Sequence, residues 1–577
     1  MRGVRWIVGM YALAACGGGA GDSSEATTDA GTSVAATDAT SQGSTATAGT
    51  DATGTTAGTD PGTTTSEPTG DPTDDTAGDP TDDPTGDPTG EPPPSGMPAG
   101  VPPPSFGYQH DTAIEPTIWV DNTNPACDDA QGTEDAPWCD PFAGGAALTL
   151  AAGSVVAIAG GPYLIEGDKT LRLEGDPDAP VIYRGVGPTE VRFDAQGVRA
   201  DFRYEGAYGV VENIEFYHNT KHVVASDAHH LAFHQIQVHN PEGSFIDFNP
   251  VFNVTGQDIL IYESMIYDNR RTSDTDSHGI QAGAGAAYVW ILDNELYNNN
   301  GDAFQGCHEC FAEPPHHVYI GRNVMHDDRE NAVDLKTIHD VVVSENVMYG
   351  YAASQTSSGD AMVVGSNGYD PDLGQGPRNV WVLNNVIRDS ETGLRVEGVE
   401  DVWILGNEFF GLGLGLQLDN KEYRDVVIAG NVFDGVGAGL YSYNDACSAD
   451  SVTIAANIVT NSTGHHLEWP DCPGLAVTRN LLWNPGGGLS VRVGGPLYTD
   501  AASLNGAPFA SENLDVDPQY EAGTLRPGAS SPAVDAGVDL DPYYDAVEAA
   551  YGGDAHFDRG LSPRPFGASY DIGAFER

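Results

Sequence analysis

A phrase of alternating apolar residues that closes on an asparagine recurs through the middle of this chain. It reads "VWILDNEL", "VYIGRNVM", "VVVSENVM", "VWVLNNVI", "VWILGNEF", "VVIAGNVF", "VTIAANIV" and "LAVTRNLL". The shared residues are Asn294, Asn323, Asn346, Asn385, Asn407, Asn431, Asn457 and Asn480, with a looser copy, "GVVENIEF", at Asn213. Successive intervals run from 22 to 29 residues, with one of 39. Self-similarity at such a period means a stacked array, because one unit cannot bury its apolar face alone. Side chains alternate with period two on both sides of the asparagine, which is strand rather than helix. Another strand signal follows in each unit: "HGIQAGA", "DAFQGCH", "NAVDLKT", "DAMVVGS", "TGLRVEG", "LGLQLDN", "AGLYSYN". The asparagine falls where the chain bends between strands. Asparagine tolerates left-handed backbone, and its amide can bond a like amide in the next unit.

Three short strands and three turns per unit make an all-β, right-handed parallel β-helix. A β-propeller needs four strands per blade, for which this period is too short. The repeats with their asparagine ladder resemble the pectate-lyase-like superfamily. "GTEDAPW", "AGSVVAIAGGPYLIEG" and "GDPDAPVIYRGVG" resemble the opening coils of bacterial β-helix proteins, and "SSPAVDAG" through "GLSPRPFGASYDIGAFER" resembles their terminal segment. Asp140-Pro141 predicts a short capping helix over "FAGGAALTLAAG". The expected organisation is a signal segment at 1–15, a tether at 16–107, a cap and first coils at 108–209, repeats at 210–500 and a C-terminal segment at 501–577.

The chain opens "MRGVRWIVGMYALAACGGG", two arginines before an apolar run too short to span a bilayer. Leu13-Ala14-Ala15-Cys16 resembles the lipobox of bacterial lipoproteins. That resemblance implies a lipidated Cys16, a membrane as partner, and, with Gly17 following it, the outer membrane on its cell-surface or periplasmic face. An ordinary secretory signal is the alternative. The Gly, Thr, Ser, Asp and Pro stretch that follows has almost no large apolar side chains, so it is expected to be disordered. A flexible chain of about 90 residues reaches roughly 50 Å.

The formal net charge is −59, and no Lys or Arg occurs between Arg5 and Lys169. This excludes nucleic acid as a partner, since phosphate binding needs clustered cations. The chain is expected to act as a monomer on a polysaccharide. Cys127, Cys139, Cys307, Cys310, Cys447 and Cys472 form an even set suited to three sequential disulfides outside the cytoplasm. Cys307 and Cys310 with His308, His316 and His317 are alternatively a metal set.

Alternation in "NAVDLKT" turns Val333 and Leu335 inward and Asp334 and Lys336 outward. The outward row, coil by coil, reads Asp247, Gln281, Gln305, Asp334 with Lys336, Val363, Arg395 with Glu397, Gln417 with Asp419, Tyr441 with Tyr443, Glu468 and Arg492. Coils lie about 4.8 Å apart, so the row is a continuous polar strip. Carboxylates, amides and aromatics suit the hydroxyls and flat rings of a sugar polymer. Gln281, Gln305, Glu397, Gln417, Asp419, Tyr441 and Tyr443 are the expected sugar contacts. Acids also precede these strands: Asp274, Asp276, Asp302, Glu330 and Asp360. Oxygens of Asp276, Asp302 and Asp334 can converge on calcium, or the acids can bond their own turns. His316 and His339 share a register and are expected to stack, either as a base or metal pair or as a turn ladder.

Gly301-Asp302-Ala303-Phe304-Gln305 resembles the Asp-Asp-Gly-x-Asp motif of one group of calcium-dependent pectate lyases, with one aspartate retained. Lys336 lies where that group carries a lysine base, two residues out of register, with Asp334 nearer the expected position. The resemblance implies β-elimination on a uronate polymer: a cation neutralises the C6 carboxylate, a base takes the C5 proton and the C4 oxygen leaves. Lys336 is the candidate base and Arg395 a carboxylate clamp. The surrounding acids would hold the Lys336 proton unless calcium takes up their charge. Three other readings stand: a surface Asp334–Lys336 ion pair, a glycoside hydrolase using Asp302, Asp334 and Glu397, and a non-catalytic, adhesive glycan-binding protein.

Overall fold

In the computed structural model the described residues are 96–106, 114–187, 190–219, 221–241, 249–270, 276–354, 357–366, 369, 373–419, 423–442 and 452–577. Expectations for Cys16, Asp247, Asp274, Tyr443 and Cys447 fall outside them. The chain winds as a parallel β-helix with three strands per coil. One sheet stacks long strands such as Ala287–Leu292, His316–Gly321, His339–Ser344 and Arg378–Leu383. A second stacks short strands after the asparagine: Glu295–Tyr297, Val324–His326 and Val347–Tyr349. A third stacks Ile280–Ala282, Phe304–Gly306, Val333–Leu335, Asp360–Gly365 and Thr392–Glu397.

The asparagines form one amide ladder. Each Nδ2 donates to the next Oδ1, from Asn294 to Asn323 at 3.0 Å, onward to Asn346 and Asn385 at 2.9 Å each, and so on to Asn480 and Asn513. The same Oδ1 accepts the backbone N–H of the preceding ladder residue, and the second Nδ2 proton goes to a backbone carbonyl, as from Asn346 to Ile320. The buried amides inside this ladder are therefore satisfied at both ends. The bend itself is taken one residue earlier than expected. Asp293, Arg322, Glu345 and Asn384 have φ of 56°, 52°, 59° and 53°. The ladder selects asparagine for its amide, and the left-handed turn sits on its neighbour.

A second, shorter ladder runs from Asn240 through Asn269 and Asn299 to Asp328 in steps of 2.9 Å, and the Tyr351 hydroxyl donates to Asp328 at 3.1 Å. Its signal is in the sequence: Asn299, Asp328 and Tyr351 each follow a main-ladder asparagine by five residues.

Inward side chains such as Val289, Ile291, Val318, Ile320, Val341 and Val343 make one continuous core. Burying each such side chain contributes roughly 1.5–3 kcal/mol. The outward side chains of the long strands are apolar too. Trp290, Tyr319, Val342, Trp381 and Leu405 are covered by residues 96–106 and by the helix Asp541–Tyr551. Trp290 Nε1 donates to the Pro102 carbonyl at 2.8 Å, and Ala99 N–H donates to Glu345 Oε1 at 2.7 Å. Residues 96–106, expected in the tether, are thus part of the folded body. Both faces of this sheet are buried, which is why its strands read as nearly unbroken apolar runs.

The capping helix expected over residues 142–153 does not form. Asp140 Oδ1 accepts the Phe142 N–H at 2.6 Å and closes a turn, Gly144 takes φ 72°, and Ala147–Ala151 is a strand paired with Lys169–Glu174. Glycine is a poor helix former, and Gly144-Gly145 end the helical option. Phe142 packs instead on Phe193 and Tyr183 inside the first coils, and Cys127 and Cys139 form a disulfide. No described helix is long and apolar enough to cross a membrane.

Two outcomes follow from this packing. Asn346→Ala leaves the Asn323 donors and the Ile320 carbonyl without partners and should cost about 3 kcal/mol, read as a lower urea midpoint at unchanged slope. A chain begun at residue 108 uncovers Trp290, Tyr319 and Val342, and should unfold at a lower midpoint than one begun at residue 92.

Candidate functional site

The third sheet carries the expected strip. Its register aligns Asn253, Gln281, Gln305, Asp334, Val363, Arg395, Gln417, Tyr441, Glu468 and Arg492. Asn253 stands in the coil for which Asp247 was expected. Lys336, Glu397 and Asp419 follow two residues on, by the same alternation. Gln281 Nε2 donates to Gln305 Oε1 at 2.9 Å, and Gln305 Nε2 donates to Asp302 Oδ2 at 3.1 Å. Gln417 and Tyr441 continue the strip as half-buried groups.

The charges on the strip are closed into pairs. Lys336 Nζ lies 2.5 Å from Asp334 Oδ2. Arg395 Nε lies 2.8 Å from Asp360 Oδ2, and its other arm lies 2.6 Å from Glu397 Oε1. Burial works against the Lys336 ammonium, but Asp334 and Asp302 outweigh it and push its pKa up to about 12. Burial in turn pushes Asp334 up to about 7 against the pull of Lys336, with Asp302 adding to the rise. Burial raises Glu397 as well, despite Arg395. At neutral pH Lys336 is therefore a cation, and Arg395 is already clamped by two acids of its own chain.

Behind the strip runs a second, buried column that sequence reading divided wrongly. Register aligns His278, Asp302, Asn331, Asp360 and Thr392. These are the first residues of "HGIQAGA", "DAFQGCH", "NAVDLKT", "DAMVVGS" and "TGLRVEG", so the signal was present. Asn331 occupies the column in its coil, and Glu330 stands one residue before it. Asn331 N–H donates to Asp302 Oδ1 at 3.1 Å, and Asn331 Nδ2 to the Asp360 carbonyl at 2.5 Å. His278 Nδ1 lies 3.0 Å from Asp302 Oδ2. Burial opposes the charged imidazole, yet Asp302, with Asp276 and Glu330 behind it, raises the His278 pKa.

Of the expected calcium ligands, Asp302 adds to the rise of the Asp334 pKa, whereas Asp276 Oδ1 is bridged to Arg329 at 2.7 Å. The groups that converge are His278, Asp302 and Glu330, with one ligand atom from each within 4.8 Å of the others. Calcium takes six to eight oxygen ligands. One imidazole and two carboxylates, with both Asp302 oxygens already accepting from Gln305 and Asn331, fit it poorly.

His316 and His339 pair in register as expected. Burial, aided by Arg378, lowers His339 to about 4, so it is neutral at physiological pH. Cys307 and Cys310 are joined as a disulfide rather than held for a metal, and Cys472 is also disulfide-bonded.

A family model described as right handed beta helix region matches residues 311–482. No curated protein sequence matches the chain. Among solved structures the chain is similar to the A-module of the mannuronan C-5 epimerase AlgE6 of Azotobacter vinelandii, at 15% identity and a TM-score of 0.41, over 65% of this chain and 92% of that one. It is similar to the PL6 family alginate lyase AlyGC at 16% identity and a TM-score of 0.45, over 67% of this chain and 60% of that one. It is also similar to PfbA, a surface adhesin of Streptococcus pneumoniae, at 12% identity and a TM-score of 0.35, over 55% and 86%. At these identities the likeness concerns fold alone. The coils and the family match together make this chain a right-handed parallel β-helix.

Proposed function

We propose that the strip binds a uronate-containing polysaccharide and cleaves it by β-elimination, with Lys336 as the base. The observation that carries this is the set of donors, acceptors and cations drawn from consecutive coils onto one face: Gln281, Gln305, Asp334, Lys336, Arg395 and Glu397. Gln305 and Gln281 offer amide bonds to hydroxyls. Arg395 meets a C6 carboxylate by exchanging part of its bonding to Glu397 for the substrate. Lys336 takes the C5 proton as its free amine, and the electrons left at C5 form the new double bond as the C4 oxygen departs.

The ion pair with Asp334 sets the pH dependence. A folded pKa of about 12 leaves little free amine at neutral pH, so elimination should rise with pH through the alkaline range. Removing the Asp334 charge lowers the Lys336 pKa, and each unit lowered gives about tenfold more free amine below the pKa.

Two further readings each have an observation behind them. The closure of Lys336 and Arg395 into ion pairs favours a binding surface without chemistry. A carboxyl raised to about 7 at Asp334, beside Asp302, favours a hydrolase with a protonated acid and an ionised partner.

We also infer that the chain is held at the bacterial outer membrane through lipidated Cys16, on the strength of Leu13-Ala14-Ala15-Cys16 after a short apolar run. Cys16→Ser should move the protein from the membrane to the soluble fraction.

The assay uses polygalacturonate, alginate and glycosaminoglycans, with ultraviolet absorbance reporting unsaturated product. Lys336→Ala should lower the rate by about 10²–10⁴-fold. Asp334→Asn should shift the pH–rate profile toward lower pH and raise the rate near pH 8. Reducing ends without ultraviolet signal, lost in Asp334→Asn, would replace elimination with hydrolysis. Binding without either product would leave the adhesive reading.

A further inference from the structure

Aromatic rings gather at the edge where the strands of the third sheet end. Phe304–Gly306, Val333–Leu335 and Thr392–Glu397 are followed on this edge by Cys307, Lys336 and Gly398. Tyr369, which comes shortly after Asp360–Gly365, meets all three of these coils. Its hydroxyl accepts from Thr337 Oγ1 at 3.3 Å, on the residue directly after Lys336. Its ring centre lies 5.8 Å from that of Phe311, edge to face, and 6.4 Å from that of His308, nearly parallel. Glycine at 398 permits the close approach of the third coil. Its φ is +63°, and a Cβ there would lie 3.0 Å from both the Cβ and the carbonyl oxygen of Tyr369.

Tyr369 is 7% exposed, whereas Phe311 is 43% exposed. A single exposed ring is ordinary on a protein surface. Phe311 is distinguished by its hold and its place. It packs on a buried tyrosine and lies just past Cys310, which is joined to Cys307. Through Tyr369 it is tied to the coils that carry Gln305, Lys336 and Arg395. The outward rings of the other two sheets are stacked on one another or roofed. A groove for pyranose units gains from a flat apolar face as well as from partners for hydroxyls. A ring already held in place loses little freedom when a ligand covers it.

We propose that Phe311 is the stacking platform of the strip. The apolar face of one pyranose unit lies on its ring while neighbouring units meet Gln305, Lys336 and Arg395. Tyr369 is the positioning residue that holds the platform against these coils. The inference rests on the reading of the strip as a polysaccharide site, and it adds a contact made by ring carbons rather than by carboxylate or hydroxyl groups. Such a contact is indifferent to salt, whereas the ionic contacts of Arg395 are screened by it.

The test uses the full chain carrying Lys336→Ala, which leaves polymer intact, titrated calorimetrically with polygalacturonate and with alginate. Circular dichroism checks that each variant is folded. Phe311→Ala in this parent should weaken binding about 3- to 10-fold, by the same factor at low and high salt. Phe311→Tyr should bind as the parent does. Tyr369→Ala should weaken binding by a similar factor, and the double variant should lose no more than either single change, because one residue positions the other. Equal binding by the parent and Phe311→Ala overturns the inference and leaves the strip as a polysaccharide site. A parent that binds neither polymer overturns both. A parent that self-associates and turns monomeric with Phe311→Ala gives the ring to a second copy of the chain, which also overturns the inference. Should Tyr369→Ala misfold, Phe311→Ala and Phe311→Tyr decide.

Discussion

Everything in this molecule depends on one polar group meeting its copy in the next coil. A side-chain amide buried in the bend has a carbonyl and two protons to satisfy, and its main partners are those of its neighbours above and below. The ladder answers this by giving each Oδ1 from Asn323 to Asn513 two donors, one from the side chain and one from the backbone of the preceding asparagine. That fixes the stacking distance and the register together. Once register is fixed at the bend, the strands on either side have no freedom to slip, because a one-residue slip would turn the whole core outward.

The same constraint makes a site out of a sheet. Outward residues of Phe304–Gly306, Val333–Leu335 and Thr392–Glu397 are brought into line only because the coils are. Charges so aligned sit partly buried, where an unpaired ion is expensive. They have therefore closed on one another as Lys336 with Asp334 and Arg395 with Asp360 and Glu397. At neutral pH Lys336 and Arg395 are cations held by acids of their own chain. This links the electrostatics of the groove directly to what it can do.

The other faces are committed to structure. The long-strand sheet is roofed by residues 96–106 and by the helix Asp541–Tyr551. The outer edge of the short-strand sheet carries rings stacked on rings. Tyr267, Tyr297, His326 and Tyr349 lie 4.8–4.9 Å apart and nearly parallel, with Arg388 over Tyr349. Their faces are occupied by each other, so they cannot also stack on a sugar. Among the described residues the outward row of the third sheet is polar along most of its length, with Val363 the apolar exception.

Much of this was legible because a solenoid is built from local rules. Alternation with period two, a bend every coil and an amide at the bend are properties of a few adjacent residues. They were enough to specify the β-helix and nearly the whole outward row, from Gln281 to Arg492. What failed was whatever depended on a single residue of register or on distant surface. Glu330 and Asn331 are both polar neighbours, and only the ladder decides that Asn331 joins the column of His278 and Asp302 while Glu330 stands beside it. Asp276 and Asp302 look alike in sequence, yet one reaches Arg329 and the other His278. The docking of residues 96–106 rests on Trp290 and Glu345, far along the chain. Sequence by itself determined the coil, because repetition encodes it many times over. Tertiary structure alone decided which charges meet, because those meetings occur between coils, where the distance in space is one strand and the distance in sequence is set by turns of unequal length.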